Sequence, residues 1–125
     1  MIEAEVTEYK KYWRERAERE AARRRKLAAE ARDQAKQVAQ MLVREFDASR
    51  VYLFGSLAED GRFQERSDVD LAAEGIAPER FFKAWAAAGR HSHLCVEVVN
   101  LDEVGEPMRK FILQHGELLC DAGAG

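Results

Sequence analysis

Residues 51–74, VYLFGSLAEDGRFQERSDVDLAAE, combine two candidate strands with a glycine-serine turn and a polar loop. The β-branched and aromatic residues Val51–Phe54 are typical of a strand, and this strand stops at Gly55-Ser56. Glycine permits unusual backbone angles and the close approach of a ligand, and the serine adds a hydroxyl and an N–H that can bind phosphate oxygens. The turn is therefore a candidate phosphate cradle.

Two aspartates separated by one valine follow the polar loop. In a strand Ser67–Leu71, alternation would place Asp68 and Asp70 on the same face of the sheet. Neighbouring carboxylates repel each other unless a cation compensates, and hard oxygen ligands of this type suit Mg²⁺ or Mn²⁺. The alternative is that Asp68 caps a turn and Asp70 is a solvated strand residue. The upstream Gly55-Ser56 turn makes us favour a metal site.

A third candidate strand, His93–Asn100, carries one carboxylate in its middle. Alternation places Leu94, Val96 and Val98 on one face and Cys95, Glu97 and Val99 on the other. A charged residue in such a strand needs a partner or water. Glu97 is thus either an exposed glutamate opposite a lysine or a further metal ligand. The aspartate pair makes us favour the ligand.

The composition favours one soluble domain, because 125 residues suffice for a single core and 34% of them are charged. No apolar segment approaches the ~20 residues needed to cross a bilayer, and the start MIEAEVTEYKK lacks a signal-peptide core. We therefore predict a cytoplasmic protein without a membrane partner. Cys95 and Cys120 form no metal-type cluster, and we interpret both as small hydrophobic residues.

The first 46 residues predict one long helix. Residues 3–45 contain no Gly or Pro and are rich in good helix formers. About 40 residues would extend roughly 60 Å, further than a small domain can cover. We therefore predict a coiled-coil contact through this arm, with a second copy of the chain or with a partner protein. Its stripe of apolar or small residues comprises Ile2, Val6, Tyr9, Trp13, Ala17, Ala21, Ala28, Ala31, Ala35, Val38 and Leu42.

Charge is unevenly distributed along the chain. Residues 1–46 hold 12 Lys/Arg and 9 Asp/Glu, whereas the remainder holds 8 and 14. An acidic second part agrees with cation binding and makes a nucleic-acid partner an unfavoured interpretation. The basic segment Arg23–Lys26 could contact RNA, but we favour a solvated helix face balanced by nearby glutamates.

The remaining elements follow from helix and strand signals. We predict a short helix Leu57–Gly61 and a strand Asp68–Ala73. A helix Pro78–Ala88 follows, which Gly89 ends and which places Trp85 in the core. The last predicted elements are a helix Pro107–His115 and an edge strand Glu117–Cys120. The predicted division of the chain is a helical arm over residues 1–37, a domain over residues 38–120 and a flexible tail over residues 121–125.

Over residues 39–119 the chain resembles the minimal nucleotidyltransferases of the DNA polymerase β-like superfamily. The resemblance is carried by LFGS, SDVDL and VEVVNL. It implies an α+β fold, with a small mixed β-sheet and helices on one face, here preceded by a long N-terminal α-helix. It also implies that Gly55 and Ser56 engage a triphosphate and that Asp68, Asp70 and Glu97 bind the divalent metal. The family usually has aspartate at the place of Glu97, and its loop between the serine and the aspartates is one residue shorter.

The resemblance implies a Mg²⁺- or Mn²⁺-dependent transfer of a nucleoside monophosphate, AMP from ATP or the corresponding part of another NTP, to a hydroxyl group. The resemblance also implies a partner, often a HEPN-domain protein encoded alongside, and some such pairs act as toxin and antitoxin, with the transferase adenylylating its partner. A second hypothesis is an inactive dimeric scaffold of antitoxin type that keeps the fold, and Glu97 and the longer loop favour it. A third is a transferase acting on tRNA through a basic arm.

Overall fold

A computed structural model describes residues 2–59, 63 and 67–124 of the chain. The elements are helices α1 (Ile2–Phe46), α2 (Pro78–His91) and α3 (Glu106–His115), strands β1 (Arg50–Phe54), β2 (Val69–Glu74), β3 (Val96–Asn100) and β4 (Glu117–Asp121), and two short 3-10 helices, Gly55–Ala58 and Ala122–Ala124. The α+β class and the long N-terminal helix are confirmed. The polar loop falls mostly outside the described residues.

Helix α1 is continuous over 45 residues, as its lack of Gly and Pro predicts. Its two halves differ in environment. Residues 2–20 are all exposed, whereas six residues from Ala31 onward are buried against the sheet and α2. The helix ends at Phe46, and Asp47 adopts a left-handed φ of 61° that turns the chain toward β1.

The four strands form one mixed sheet in the order β3-β2-β1-β4. The central strand β1 pairs antiparallel with β2 and with β4, and an irregularity in the β4 pairing lies between Val51 and Tyr52. Strands β2 and β3 run parallel, because α2 carries the chain back across the sheet between them. The predicted edge strand at the C-terminal end is confirmed as β4, which extends one residue further, to Asp121.

The two faces of the sheet have different cover. On one face the larger core packs Val51, Leu53, Val69 and Leu71 against α1 and α2. On the other face Phe54 and Ala72 contact Ile112 of α3 in a smaller cluster. The predicted aspartates belong to the second face, since they alternate with Val69 and Leu71. This face is the less covered one, which leaves room for a ligand.

Helix α2 differs from the prediction at two places. It continues through Gly89 to His91, because a glycine inside a helix costs only about 1 kcal/mol and no proline follows. Trp85 is not in the core: its side chain is 39% exposed, and Phe82 beside it is 72% exposed. The buried residues of α2 are instead Ala84 and Ala88, and the helix contacts both α1 and β3.

The remaining boundaries shift by a few residues. Strand β3 begins at Val96 rather than at His93, and β2 begins at Val69 rather than at Asp68. The helix predicted for Leu57–Gly61 is a 3-10 turn that already starts at Gly55, and the glycine predicted to end it lies outside the described residues. Over the described parts of the chain, no helix has the length and apolarity required to span a bilayer.

Candidate functional site

The Gly55-Ser56 turn lies directly against Asp70. Strand β1 ends at Phe54, and Gly55 adopts a φ of 77°, which L-residues with side chains rarely adopt. A Cβ atom built on Gly55 would lie 2.3 Å from Oδ2 of Asp70. Glycine is therefore required twice here, by its backbone conformation and by the closeness of the carboxylate. The N–H of Glu59 donates to the Ser56 carbonyl at 3.3 Å and closes the turn.

The sheet register brings two of the predicted carboxylates side by side. Asp70 on β2 is the register partner of Glu97 on β3, just as the buried Val69 is the partner of Val96. Partners in a parallel pair point to the same face, so both carboxylates lie on the less covered side of the sheet. Asp70 is half-buried, whereas Glu97 is exposed.

Asp68 joins this pair from the residue just before β2, and its side chain is exposed. The combined effect is visible at Asp70, whose pKa is raised by burial first, and then by the negative charges of Asp68 and Glu97. The described residues thus bring together Gly55, Asp68, Asp70 and Glu97, with Ser56 in the same turn. These are the five residues that the sequence singled out, and their binding and catalytic roles stay a prediction.

A thiol at this site was interpreted differently from sequence. Cys95 is exposed, and its thiol lies near the Asp68 carboxylate. Hydrogen bonding to Asp68 and the charge of Asp68 raise the pKa of the Cys95 thiol, with smaller contributions from burial and from the charges of Glu97 and Asp70. The signal was present in the alternation of the third strand, which puts Cys95 on the same face as Glu97.

The donor set fits a hard divalent cation that is shared with a ligand. Within residues 2–59, 63 and 67–124, no three His, Cys, Asp or Glu side chains converge tightly enough to enclose a metal ion by themselves. Mg²⁺ commonly binds through one or two carboxylates together with substrate phosphates and water. The carboxylates of Asp68, Asp70 and Glu97 next to an open glycine turn are consistent with that mode.

A match to a protein family covers this whole arrangement. The family model described as "Polymerase beta, Nucleotidyltransferase" matches residues 36–123, from the packed half of α1 to the end of β4 and beyond. The chain belongs to the polymerase β nucleotidyltransferase family. This nucleotidyltransferase therefore carries its family domain on an additional helical segment of about 35 residues. No curated protein sequence matches it.

Solved structures share the nucleotidyltransferase fold. A toxin–antitoxin with AMP-PNP superposes with a TM-score of 0.60 at 18% identity, over 71% of this chain and 75% of that one. A mutant of the toxin–antitoxin MntA-HpeT gives a TM-score of 0.58 at 16% identity over the same shares. The toxin–antitoxin MntA-HepT gives 0.52 at 15% identity, over 73% of this chain and 72% of that one. At these identities the likeness establishes the fold.

Proposed function

We propose that the protein transfers AMP from ATP to a hydroxyl group, using the site around Asp70. The observation that carries this proposal is the meeting of two features at one carboxylate. Asp70 lies beside Glu97 and Asp68 on one side, and against the Gly55 turn on the other. A cation held by the carboxylates and a triphosphate held by the turn would therefore be neighbours.

The Gly55-Ser56 turn and the three carboxylates have different roles in this proposal. The backbone N–H groups and the hydroxyl at Gly55-Ser56 would hold phosphate oxygens and align the triphosphate for in-line attack. Asp68, Asp70 and Glu97 would hold Mg²⁺ or Mn²⁺. When bound, such ions neutralise phosphate charge and lower the pKa of an attacking hydroxyl. Burial, and then the negative charges of Asp68 and Glu97, raise the pKa of Asp70, and a bound cation would relieve the repulsion between these carboxylates.

The reaction is a substitution at phosphorus. The acceptor oxygen forms a bond to the α-phosphorus, the bond from that phosphorus to the bridging oxygen breaks, and pyrophosphate leaves with the electron pair. The hydroxyl proton passes to solvent water. We assign no residue as a separate general base.

The acceptor in this proposal is a hydroxyl on a partner protein, of the HEPN type in a toxin–antitoxin pair. It is supported by the solved structures of similar fold, which are toxin–antitoxin proteins, one of them with AMP-PNP. The homodimer predicted from sequence is a separate proposal that does not depend on the acceptor.

The second candidate function is a catalytically inactive scaffold of antitoxin type. It is favoured by glutamate at position 97 and by the longer loop between Ser56 and Asp68. The longer side chain can displace a ligand oxygen by about an ångström, and catalysis is sensitive to such distances. In this case nucleotide and metal would bind weakly or not at all, and the protein would act by binding its partner.

The test is incubation with Mg²⁺ and ATP labelled at the α-phosphate, with and without the protein encoded beside this one. We expect label on the partner, and loss of label with Asp68→Asn plus Asp70→Asn. The matched control is Glu103→Gln, which removes an exposed carboxylate outside the site and should retain labelling. Absence of label with every NTP, although the two proteins bind each other, would contradict the enzyme and support the scaffold.

A further inference from the structure

The N-terminal part of α1 presents large apolar side chains to solvent. Tyr9 is 64% exposed and Trp13 is 45% exposed. Together with Tyr12 they form a ring cluster, in which the Trp13 ring lies 6.0 Å from that of Tyr9 and 5.5 Å from that of Tyr12. Ile2 and Val6 extend the same stripe toward the start of the helix. A stripe of this size on a protruding helix is typical of a protein contact.

The same face of α1 continues with small residues toward the domain. Ala17, Ala21 and Ala28 follow Trp13 at helical spacing. At Ala21 and Ala28 the helix borders a groove of about 450 Å³, whose opposite wall includes Leu57 and Phe63. The helix therefore carries large exposed side chains near its start and borders a groove a few turns further along.

The charged residues of α1 also differ between these two parts of the helix. The first two turns carry Glu3, Glu5 and Glu8, whereas residues 23–26 are Arg-Arg-Arg-Lys. Arg24 and Arg25 line the groove. The first two turns are thus acidic and residues 23–26 are basic, so these two segments are complementary to each other and not to themselves.

We propose that two copies of this chain pair antiparallel through residues 2–28 of α1, with the N-terminal turns of each copy seated in the groove of the other. In this register Tyr9 lies beside the partner's Ala21, and Trp13 beside the partner's Ala17. At these two positions large side chains meet small ones. Ile2 reaches the level of the partner's Ala28, at the mouth of the groove.

The antiparallel direction follows from the charges and from the domains. It places Glu3 and Glu5 beside the partner's Arg24 and Arg25 at both ends of the pair. A parallel pair would instead set the basic segments against each other and stack Trp13 on its own copy. It would also bring both domains to the same end of the helices.

The contact extends over a long stretch of helix. An overlap of residues 2–28 is about 40 Å long at 1.5 Å per residue. The apolar and small residues from Ile2 to Ala28 on both copies contribute to it, and the pair must bury the roughly 1,200 Å² at which specific interfaces begin. The proposed pairing does not depend on nucleotidyl transfer. Leu57, which lines the groove, is the residue that follows Ser56 in the sequence.

A charge exchange tests the pairing and its direction together. One variant carries Glu3→Lys and Glu5→Lys, and the other carries Arg24→Glu and Arg25→Glu. Each alone faces like charges at both ends, and we expect its dimer dissociation constant in sedimentation equilibrium to rise roughly tenfold or more. In an equimolar mixture the two chains restore attraction at both ends, so the mixture should dimerise like the unmodified chain.

The control exchanges Lys11→Glu with Glu15→Lys on the opposite face of α1, where both residues are exposed. It should dimerise normally, and circular dichroism should show equal helix content in all variants. An unmodified chain that stays monomeric at tens of micromolar would overturn the proposal. So would charge variants that, each alone, dimerise as tightly as the unmodified chain, because in a parallel pair the unmodified chain already faces like charges at both ends and in an unrelated contact these residues do not meet.

A photo-cross-linker placed at Tyr9 locates the contact. With an equal mixture of isotopically light and heavy protein, we expect adducts between copies at residues near Ala21 or at Leu57 and Phe63. Adducts at Tyr9 of the other copy would show a parallel pair and overturn the antiparallel one. The nucleotide-labelling experiment has a different readout, so failure of either proposal leaves the other open to its own test.

Discussion

Asp70 and Glu97 stand opposite each other in the parallel pair of β2 and β3, so two carboxylates occupy the same level of one face. Burial, then Asp68, then Glu97 raise the pKa of Asp70. The pKa of Asp70 is therefore higher in the folded than in the unfolded protein. Because of this difference, the free energy of unfolding falls as the pH rises from the unfolded-state pKa through the folded-state pKa. The loss persists at neutral pH. Asp70 therefore destabilises the metal-free protein at pH 7.

We expect Asp70→Asn to unfold at a temperature roughly 1–3 °C above the unmodified protein at pH 7 in EDTA, since a neutral amide removes the repulsion. The difference should shrink as the pH is lowered through the interval in which Asp70 becomes protonated. Thermal unfolding followed by circular dichroism measures both effects. Glu103→Gln serves as the control for loss of one surface charge, and an unfolding temperature of Asp70→Asn below that of the unmodified protein at pH 7 would contradict the expectation.

Gly55→Ala should damage both the turn and the carboxylate beside it. The left-handed φ of 77° costs an L-residue about 1–2 kcal/mol. The new methyl group must also displace the Asp70 carboxylate from 2.3 Å, and we expect nucleotidyl transfer to fall on the order of a hundredfold. Gly89→Ala is the matched control: its Cβ meets open space in α2, so it should stabilise by about 0.5–1 kcal/mol and leave activity unchanged. Equal activity of the two alanine variants would contradict the role of Gly55.

The Cys95 thiol should react slowly with iodoacetamide at pH 8 despite its exposure. The Asp68 carboxylate raises its pKa and so lowers the thiolate fraction that reacts. Asp68→Asn removes that charge, and we expect faster alkylation of Cys95, followed peptide by peptide in a mass spectrometer. Cys120 in the same sample provides the internal reference, because its rate should not respond to the substitution. Unchanged Cys95 reactivity in Asp68→Asn would show that the two groups do not interact.

Arg80 fastens the end of α1 to α2. It donates to the Glu45 carbonyl at 2.7 Å and to the Asp47 carboxylate at 2.9 Å, and its guanidinium carbon lies 5.1 Å from the Phe46 ring centre. Because the ion pair itself is largely exposed, most of the expected loss of about 1–2 kcal/mol in Arg80→Ala comes from the uncapped carbonyl and the lost packing. Arg16→Ala breaks an exposed i,i+4 pair with Glu20 at 3.2 Å and should cost less than about 0.5 kcal/mol. Urea unfolding compares the two, and equal losses would contradict the capping role.

The elements that could be predicted are those whose signal is local. Alternation along β2 and β3 separated the carboxylates from Val69 and Val96, and that separation agrees with the structure because it needs only the period of a strand. Helix α1 was predictable because it lacks Gly and Pro over its whole length. The family resemblance then added the pairing of the turn with Asp70, which no local pattern contains.

The errors arose where a contact between elements decided the outcome. Periodicity shows that α2 has an apolar side, but it does not show that Ala84 and Ala88 are the residues buried on that side, and so it misplaced Trp85. The proximity of Cys95 to Asp68 likewise depends on how β3 is positioned against β2. Strand order and register are long-range properties, which residue patterns constrain only weakly.

Helix α1 contains no residue of the type at which helices usually kink. From Trp13 to Val38 the axis of α1 runs for about 37 Å at 1.5 Å per residue, and no glycine or proline lies between Ile2 and Phe46 to let one half bend independently of the other. A torque applied at Trp13 is therefore delivered to Val38 and Leu42, which pack beneath the strand that leads into Gly55. The arm thus provides a contact surface and also a rigid mechanical connection from that surface to the strand before Gly55.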